Sequence, residues 1–149
     1  MKRFTVFLAL ALISFFSIFL TSCDKDQQTA IELWGTWKGT INVKAFNSRH
    51  TKYTYTVWHF EGKPGSRQGN GWERDFGQDG SSYKSDFRWA VSDGVIQLIY
   101  NNDSWSTVYI YDWSISGEDD NSKYFDGQID DGSGNRIRFQ LDYDYDNRY

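Results

Sequence analysis

Few residues in this sequence have the type and spacing that catalysis or metal binding requires. The two histidines, His50 and His59, are separated by nine positions, which is not the spacing of a metal-binding pair. No serine lies in a Gly-x-Ser-x-Gly elbow, and the one cysteine follows an apolar run near the start of the sequence. The sequence therefore predicts a protein that is not an enzyme, with no catalytic residue, no metal ligand and no cofactor.

The acids late in the sequence raise two further possibilities. The run from Asp130 to Asn135 has some ingredients of a calcium-binding loop, but it lacks the alternating acids and the distal glutamate. An acidic hairpin turn explains it better. A carboxylate pair for glycoside hydrolysis could also be chosen among so many acids, but the sequence does not give their separation.

The single cysteine, Cys23, indicates export and a lipid anchor. Residues 1–22 begin with Lys2 and Arg3, continue through an uncharged apolar run and end in small residues, as a secretory signal does. Leu20-Thr21-Ser22-Cys23 resembles a bacterial lipobox. This resemblance implies cleavage before Cys23, a diacylglycerol on its thiol and a fatty acyl chain such as palmitate on the new amine. We expect a lipoprotein of the outer membrane, on its periplasmic or cell-surface face.

The residues after the cysteine predict a lipidated, polar tether over 23–32, followed by one domain over 33–149. Asp24, Lys25 and Asp26 resemble the acidic tags of surface-exposed lipoproteins from Bacteroidetes-type bacteria, and a plain polar linker is the alternative. The formal net charge is −4 and there is no basic run, so nucleic acid is not an expected partner. The expected partner is a membrane, contacted through the lipid.

The composition of the domain is typical of an all-β fold. Short runs of β-branched and aromatic residues alternate with Gly, Asn and Asp clusters, which favour antiparallel neighbours. Apolar and polar residues alternate within several runs, which indicates one buried face. Eight strands are predicted at about residues 35–46, 52–61, 70–77, 82–91, 94–101, 104–115, 122–130 and 135–145. Closing them gives a single eight-stranded antiparallel up-and-down barrel without exposed edges.

The start of the first strand carries a family motif. Gly35-Thr36-Trp37 matches the Gly-x-Trp signature of the lipocalin and calycin group, and the chain resembles the small lipocalin-like lipoproteins of Bacteroidetes-type bacteria. The resemblance implies that Trp37 closes one end of the barrel and that an arginine packs over it. The candidates are Arg136, Arg138 and Arg148. The lipocalin Thr-Asp-Tyr motif and the long C-terminal helix are missing, so a plain lipocalin-like barrel fits best.

The resemblance also implies a small apolar or amphipathic ligand in an aromatic-lined cavity. The residues predicted to bind it are Trp37, Trp72, Phe76, Phe87, Trp89, Tyr109, Tyr111, Phe125 and Phe139. The alternative function is a surface module that binds a glycan or a protein partner, with an inhibitor role included, through exposed aromatic residues.

The sixth strand separates these two functions, because both of its faces are apolar. Trp105, Tyr109, Tyr111 and Trp113 share one face, and Val108 and Ile110 share the other. The cavity function needs the tyrosines inside, whereas the surface function needs them outside. We expect Val108 and Ile110 to point inward, because the polar residues on their side lie only near the strand ends.

Overall fold

A computed structural model describes residues 25–41, 53–101, 107–117, 122–130, 134 and 136–146. Within them, a short helix, α1 (residues 25–33), precedes eight strands. The strands are β1 (Gly35–Gly39), β2 (Tyr53–Gly62), β3 (Gln68–Gly77), β4 (Ser82–Ser92), β5 (Val95–Tyr100), β6 (Thr107–Ser116), β7 (Tyr124–Asp130) and β8 (Arg136–Tyr143).

The strands form one closed antiparallel barrel in the order of the sequence. β1 pairs with β8 at the seam, where Trp37 lies opposite Tyr143. The predicted all-β, eight-stranded, up-and-down barrel is therefore confirmed, and its layout is lipocalin-like. Residues 42–46, the last part of the predicted first strand, lie outside the described residues.

The two ends of the barrel differ. α1 lies against the end that holds the β2–β3, β4–β5 and β6–β7 connections, here named the helix end. Asp26 accepts hydrogen bonds from the backbone N–H groups of Asp93 and Gly94 in the β4–β5 turn, at 3.0 and 3.1 Å. Lys123, next to β7, donates to the Glu32 carbonyl oxygen at 3.1 Å. The opposite end, where β2, β4, β6 and β8 begin, is named the distal end.

The helix α1 occupies most of the segment for which the sequence predicts a polar tether. Its buried residues are Asp26, Thr29, Ala30 and Leu33. Positions three and four apart share one helical face, so these side chains pack together against the barrel. Within the described residues, no helix has the length and the apolar character that crossing a bilayer requires.

Candidate functional site

The barrel interior contains a continuous cluster of aromatic rings. The cluster consists of Trp37, Trp58, Phe60, Phe87, Trp89, Tyr100, Phe125 and Phe139. Neighbouring rings meet tilted or edge to face, at centroid distances between 5.1 and 6.5 Å. These are the geometries that aromatic pairs favour, so the cluster stabilises the barrel.

Two glycines of β3 let the rings lie close to the barrel wall. A Cβ atom on Gly71 would lie 2.3 Å from Phe87 Cε2, and one on Gly69 would lie 2.8 Å from the Trp89 ring. Side chains alternate along a strand, so the face of β3 that begins with these glycines continues with Glu73 and Asp75. Along the inner face of β3, two glycines without side chains are therefore followed by two acids.

The inner wall becomes polar in β2, β3 and β5 towards the distal end. Thr56 Oγ1 donates to Asp75 Oδ1 at 2.6 Å, and the Tyr100 hydroxyl donates to Glu73 Oε2. Because β4 separates β3 from β5, the contact between Glu73 and Tyr100 is made across the interior. Thr56 and Asp75 are 1% exposed, whereas Glu73 keeps a larger accessible fraction. Thr56, Glu73, Asp75 and Tyr100 are together named the polar wall.

In the polar wall, the ionised forms of Glu73 and Tyr100 are disfavoured. Burial raises the pKa of Glu73 well above its usual value, and the neighbouring Asp75 carboxyl raises it further. Burial also raises the pKa of the Tyr100 hydroxyl, and Glu73 adds to that effect. Among the described residues, no lysine or arginine shifts the pKa of the Glu73 carboxyl. Glu73 is thus a partly buried acid, and its ionised form lacks a counter-charge within the described part of the chain.

The Trp58 indole adds a donor beside this acid. Trp58 is 2% exposed, and its Nε1–H has no hydrogen-bond acceptor among the described residues. Trp58 pairs with Glu73 across the β2–β3 ladder, and its N–H lies near enough to favour the ionised form of the carboxyl. Buried donors in proteins usually find a partner. The surroundings of Glu73 are therefore the candidate binding position.

The structure brings only some of the predicted ligand-binding residues together. Trp37, Phe87, Trp89, Phe125 and Phe139 lie in the interior cluster. Trp72 and Phe76 lie on the outer face, and this corrects the predicted lining. Trp72 stacks on His59 at 5.3 Å, and Phe76 contacts Tyr55 at 6.2 Å. Side chains alternate along a strand, so Trp72 and Phe76 face outward where Glu73 and Asp75 face inward.

Tyr109 and Tyr111 also lie on the outside, which removes them from the predicted lining. Val108 and Ile110 are buried, so β6 has the expected orientation. The two tyrosine rings stack at 6.2 Å, and the Arg136 guanidinium lies 4.2 Å from the centre of the Tyr111 ring. These three residues form an outer patch on the barrel.

A β-bulge separates Trp113 from these tyrosines. The β6–β7 register shifts between Tyr111 and Ser114, and Asp112 has a φ of 47°. A bulge inserts a residue and so changes which side chains face inward. Trp113 consequently packs against the core, and its Nε1 donates to the Gly94 carbonyl oxygen at 2.7 Å. Trp105, the fourth aromatic residue of the predicted stripe, lies outside the described residues.

Trp37 lies at the helix end, and a lysine takes the position expected of an arginine. Trp37 Nε1 donates to the Leu33 carbonyl oxygen at 2.8 Å, and Lys123 Nζ lies 5.2 Å from the Trp37 ring centre. Burial lowers the pKa of Lys123, and Glu32 opposes this shift. Arg136 lies over Tyr111 and Arg138 is exposed, so neither packs over Trp37. Arg148 lies outside the described residues.

The polar wall is the part of the site that the sequence did not predict. In β3, Trp72 and Phe76 alternate with Glu73 and Asp75, and the usual rule turns the apolar set inward. The sequence feature that could have indicated which face of β3 points inward is the pair of glycines, Gly69 and Gly71. Glycine within a strand often marks the close approach of another group, here the rings of Phe87 and Trp89.

Several predicted positions cannot be placed. Cys23, His50 and residues 131–133 of the acidic turn lie outside the described residues. His59 lies on the outer surface, where its Nδ1 is 2.8 Å from Thr36 Oγ1. In the described part of the chain, no three His, Cys, Asp or Glu side chains are arranged to hold a metal ion.

No family model matches the chain, and no curated protein matches it either. We therefore infer the function from the geometry of the barrel and from the sequence.

Proposed function

We propose that this protein is a non-catalytic barrel that binds a small amphipathic ligand at its distal end. The observation that carries the proposal is the meeting of the aromatic cluster with the polar wall inside one barrel. Binding sites for small molecules combine an apolar lining with a few placed polar groups. An eight-stranded barrel is just wide enough to be filled by side chains or to hold one small ligand. The apolar part of the ligand contacts rings such as Phe139, and its polar part contacts Glu73.

The same proposal includes a lipid anchor. The lipobox-like run that ends at Cys23 supports diacylation of that residue, and the basic, apolar start supports export. Several acyl chains on one residue hold a protein stably on a membrane. The Gly-x-Trp motif at Trp37 supports a place among lipocalin-like lipoproteins of Bacteroidetes-type bacteria. We place the protein on the outer membrane, on its periplasmic or cell-surface face, and the acid that follows the cysteine, Asp24, supports the cell-surface face.

Titration of hexanol into the full-length protein in detergent tests the ligand position. We expect the Trp58 indole N–H signal to shift in NMR spectra, because this donor lies beside Glu73 in the interior. The Trp72 signal serves as the matched control, since Trp72 lies on the outer face of the neighbouring strand. Trp58→Phe and Trp72→Phe assign the two signals. A shift of the Trp72 signal alone, or of neither signal, contradicts interior binding.

A second candidate function, glycan or protein binding on the outside, is favoured by the outer patch. Tyr109 and Tyr111 stack there beside Arg136, and Gln128 donates to Asp112 at 3.0 Å next to them. Exposed aromatic surface flanked by polar groups often marks an interaction site. In the same titration with an oligosaccharide, this function predicts binding that Tyr111→Ala removes and that leaves the Trp58 signal unchanged.

A further inference from the structure

We propose that the ligand carries a protonated amine and that Glu73 is the residue that binds it. The inference rests on the proposed function and names the chemical class of the ligand. Glu73 faces the interior, where the Tyr100 hydroxyl and the Trp58 indole N–H approach the same carboxyl group.

The neighbours of Glu73 suit a carboxylate that pairs with a cation. Tyr100 and Trp58 are two neutral donors, and both favour the ionised form of Glu73. Neutral donors stabilise the charge, but a buried charge also needs an opposite charge to offset its lost hydration. Among the described residues no such cation acts on Glu73. An ammonium group on the ligand supplies it, and the ionised carboxylate can then accept from Trp58 Nε1, which has no other acceptor there.

A second acid lies between Glu73 and the distal end. Asp75 follows two positions later on the same face of β3, a rise of about 7 Å along the strand. Its side chain is fixed by Thr56 at 2.6 Å. Carboxyl groups offer cations a partner that can ionise, and once ionised they produce a negative potential that attracts cations and repels anions. A cationic ligand is therefore favoured over one with a carboxylate head.

The surrounding rings favour an organic ammonium. Tyr100 and Trp58, which approach the Glu73 carboxyl, belong to the aromatic cluster: the Tyr100 ring lies 5.5 Å from Phe87, and the Trp58 ring lies 5.5 Å from Phe139. Aromatic faces attract ammonium groups within about 6 Å. A metal ion is less suited, since the described residues bring no three metal-binding side chains together. The expected ligand is a small amine with an apolar chain or ring.

Three probes with the same six-carbon chain test this inference on the full-length protein in detergent. These are hexylammonium, hexanol and hexanoate, with affinities measured by isothermal titration calorimetry. We expect hexylammonium to bind at least about tenfold more tightly than hexanol, and hexanoate to bind most weakly. Glu73→Gln should weaken hexylammonium binding by about tenfold or more and change hexanol binding much less, because only the ammonium loses a charge partner. Asp86→Asn is the matched control, because Asp86 is an exposed acid on β4 whose loss should change neither affinity.

The pH dependence of hexylammonium binding tests the role of Glu73 in the unmodified protein, without any substitution. The groups facing Glu73 are Asp75 on its own strand, Tyr100 on β5 and Trp58 on β2. An ammonium ion that pairs with Glu73 displaces its proton, so the affinity for hexylammonium should rise with pH until Glu73 is ionised in the unbound protein. The heat of binding should also differ between buffers of different ionisation enthalpy, which reports the released proton. Hexanol should show neither effect.

The outcomes separate the inference from the proposed function. If hexanol binds in the interior and hexylammonium binds no more tightly, the amine inference is overturned and the binding barrel stands. If none of the three probes binds, both fail. Binding of calcium ions without binding of hexylammonium also overturns the inference. If Glu73→Gln does not fold, proton release by the unmodified protein still decides the matter.

Discussion

At the scale of single residues, Glu73 shows how an acid can be kept inside a barrel. Its carboxyl accepts from Tyr100 and lies beside the Trp58 indole, so hydrogen bonding offsets part of the cost of burial. Burial and Asp75 nevertheless raise its pKa, because they penalise the ionised form more than the donors favour it. Glu73 therefore links the stability of the barrel to pH.

We expect Glu73→Gln to change the pH dependence of stability. The usual pKa of a glutamate is 4.5, and the pKa of Glu73 in the folded protein lies well above it. The stabilising effect of protonated Glu73 is fully present below pH 4.5 and is lost as the pH rises through the folded pKa. The slope is at most about 1.4 kcal/mol per pH unit in this window. Urea unfolding of both proteins across this range measures the effect.

Comparing Glu73→Gln with the unmodified protein cancels the contribution of the other acids to the pH dependence of stability, because both proteins contain them. Relative to the unmodified protein, Glu73→Gln should gain stability as the pH rises above 4.5. Asp86→Asn, which changes an exposed acid on β4, is the matched control. A Glu73→Gln difference that is constant with pH would mean that the folded protein does not shift this pKa.

At the scale of elements, α1 joins the start of the domain to the barrel through the Asp26 carboxylate and a buried face. Asp26 accepts from two backbone N–H groups of the β4–β5 turn, and Arg67 Nη1 lies 3.5 Å from the same carboxylate. Ala30 and Leu33 of α1 are completely buried. The helix is thus part of the fold, and its polar residues have structural roles that a tether would not give them.

We expect Asp26→Ala to lower the free energy of unfolding by about 1–2 kcal/mol. Two backbone donors lose a charged acceptor, although water can replace it in part, since the turn is exposed. Gln28→Ala is the matched control on the exposed face of α1 and should change stability by less than about 0.5 kcal/mol. The urea midpoint measures both. Equal effects of the two substitutions would contradict the role of Asp26 in holding the turn.

The role of Asp26 in holding the β4–β5 turn affects how the proposed surface-export tag can be tested by mutation. Neutralising both acids after Cys23 would remove the Asp26 contacts together with the proposed tag. Asp24→Asn alone is therefore the cleaner test of the tag.

The strands could be predicted from the sequence, but α1 and the polar wall could not. Gly, Asn and Asp clusters mark the turns, and the alternation in β4 and β8 shows the buried face directly. In α1, two of the four buried residues, Asp26 and Thr29, are polar, so the helical period does not appear in the pattern of apolar residues. In β3 the inward face is the one on which Gly71 lies against Phe87, and this contact with another strand does not appear in the pattern of β3 itself.

At the scale of the whole molecule, the position of α1 fixes how an anchored barrel would face the membrane. Cys23 precedes residue 25, where α1 begins, by two positions, a span of about 7 Å at most. α1 packs on the helix end of the barrel through Asp26 and Leu33. If Cys23 carries the lipid, the helix end lies near the bilayer. The distal end, with Glu73 and Asp75 inside it, then faces away from the membrane.

Two single-cysteine labels on β4 test this orientation in liposomes. Ser82 and Ser92 are exposed residues of the same type at opposite ends of β4, about 33 Å apart along the strand. With Cys23 occupied by lipid, Ser82→Cys and Ser92→Cys each introduce the one thiol that a fluorophore can label. We expect lipids with a nitroxide headgroup to quench the label at Ser92, at the helix end, much more strongly than the label at Ser82. Equal quenching, or stronger quenching at Ser82, contradicts the orientation, and labelling of the unmodified protein at Cys23 contradicts the lipid anchor itself.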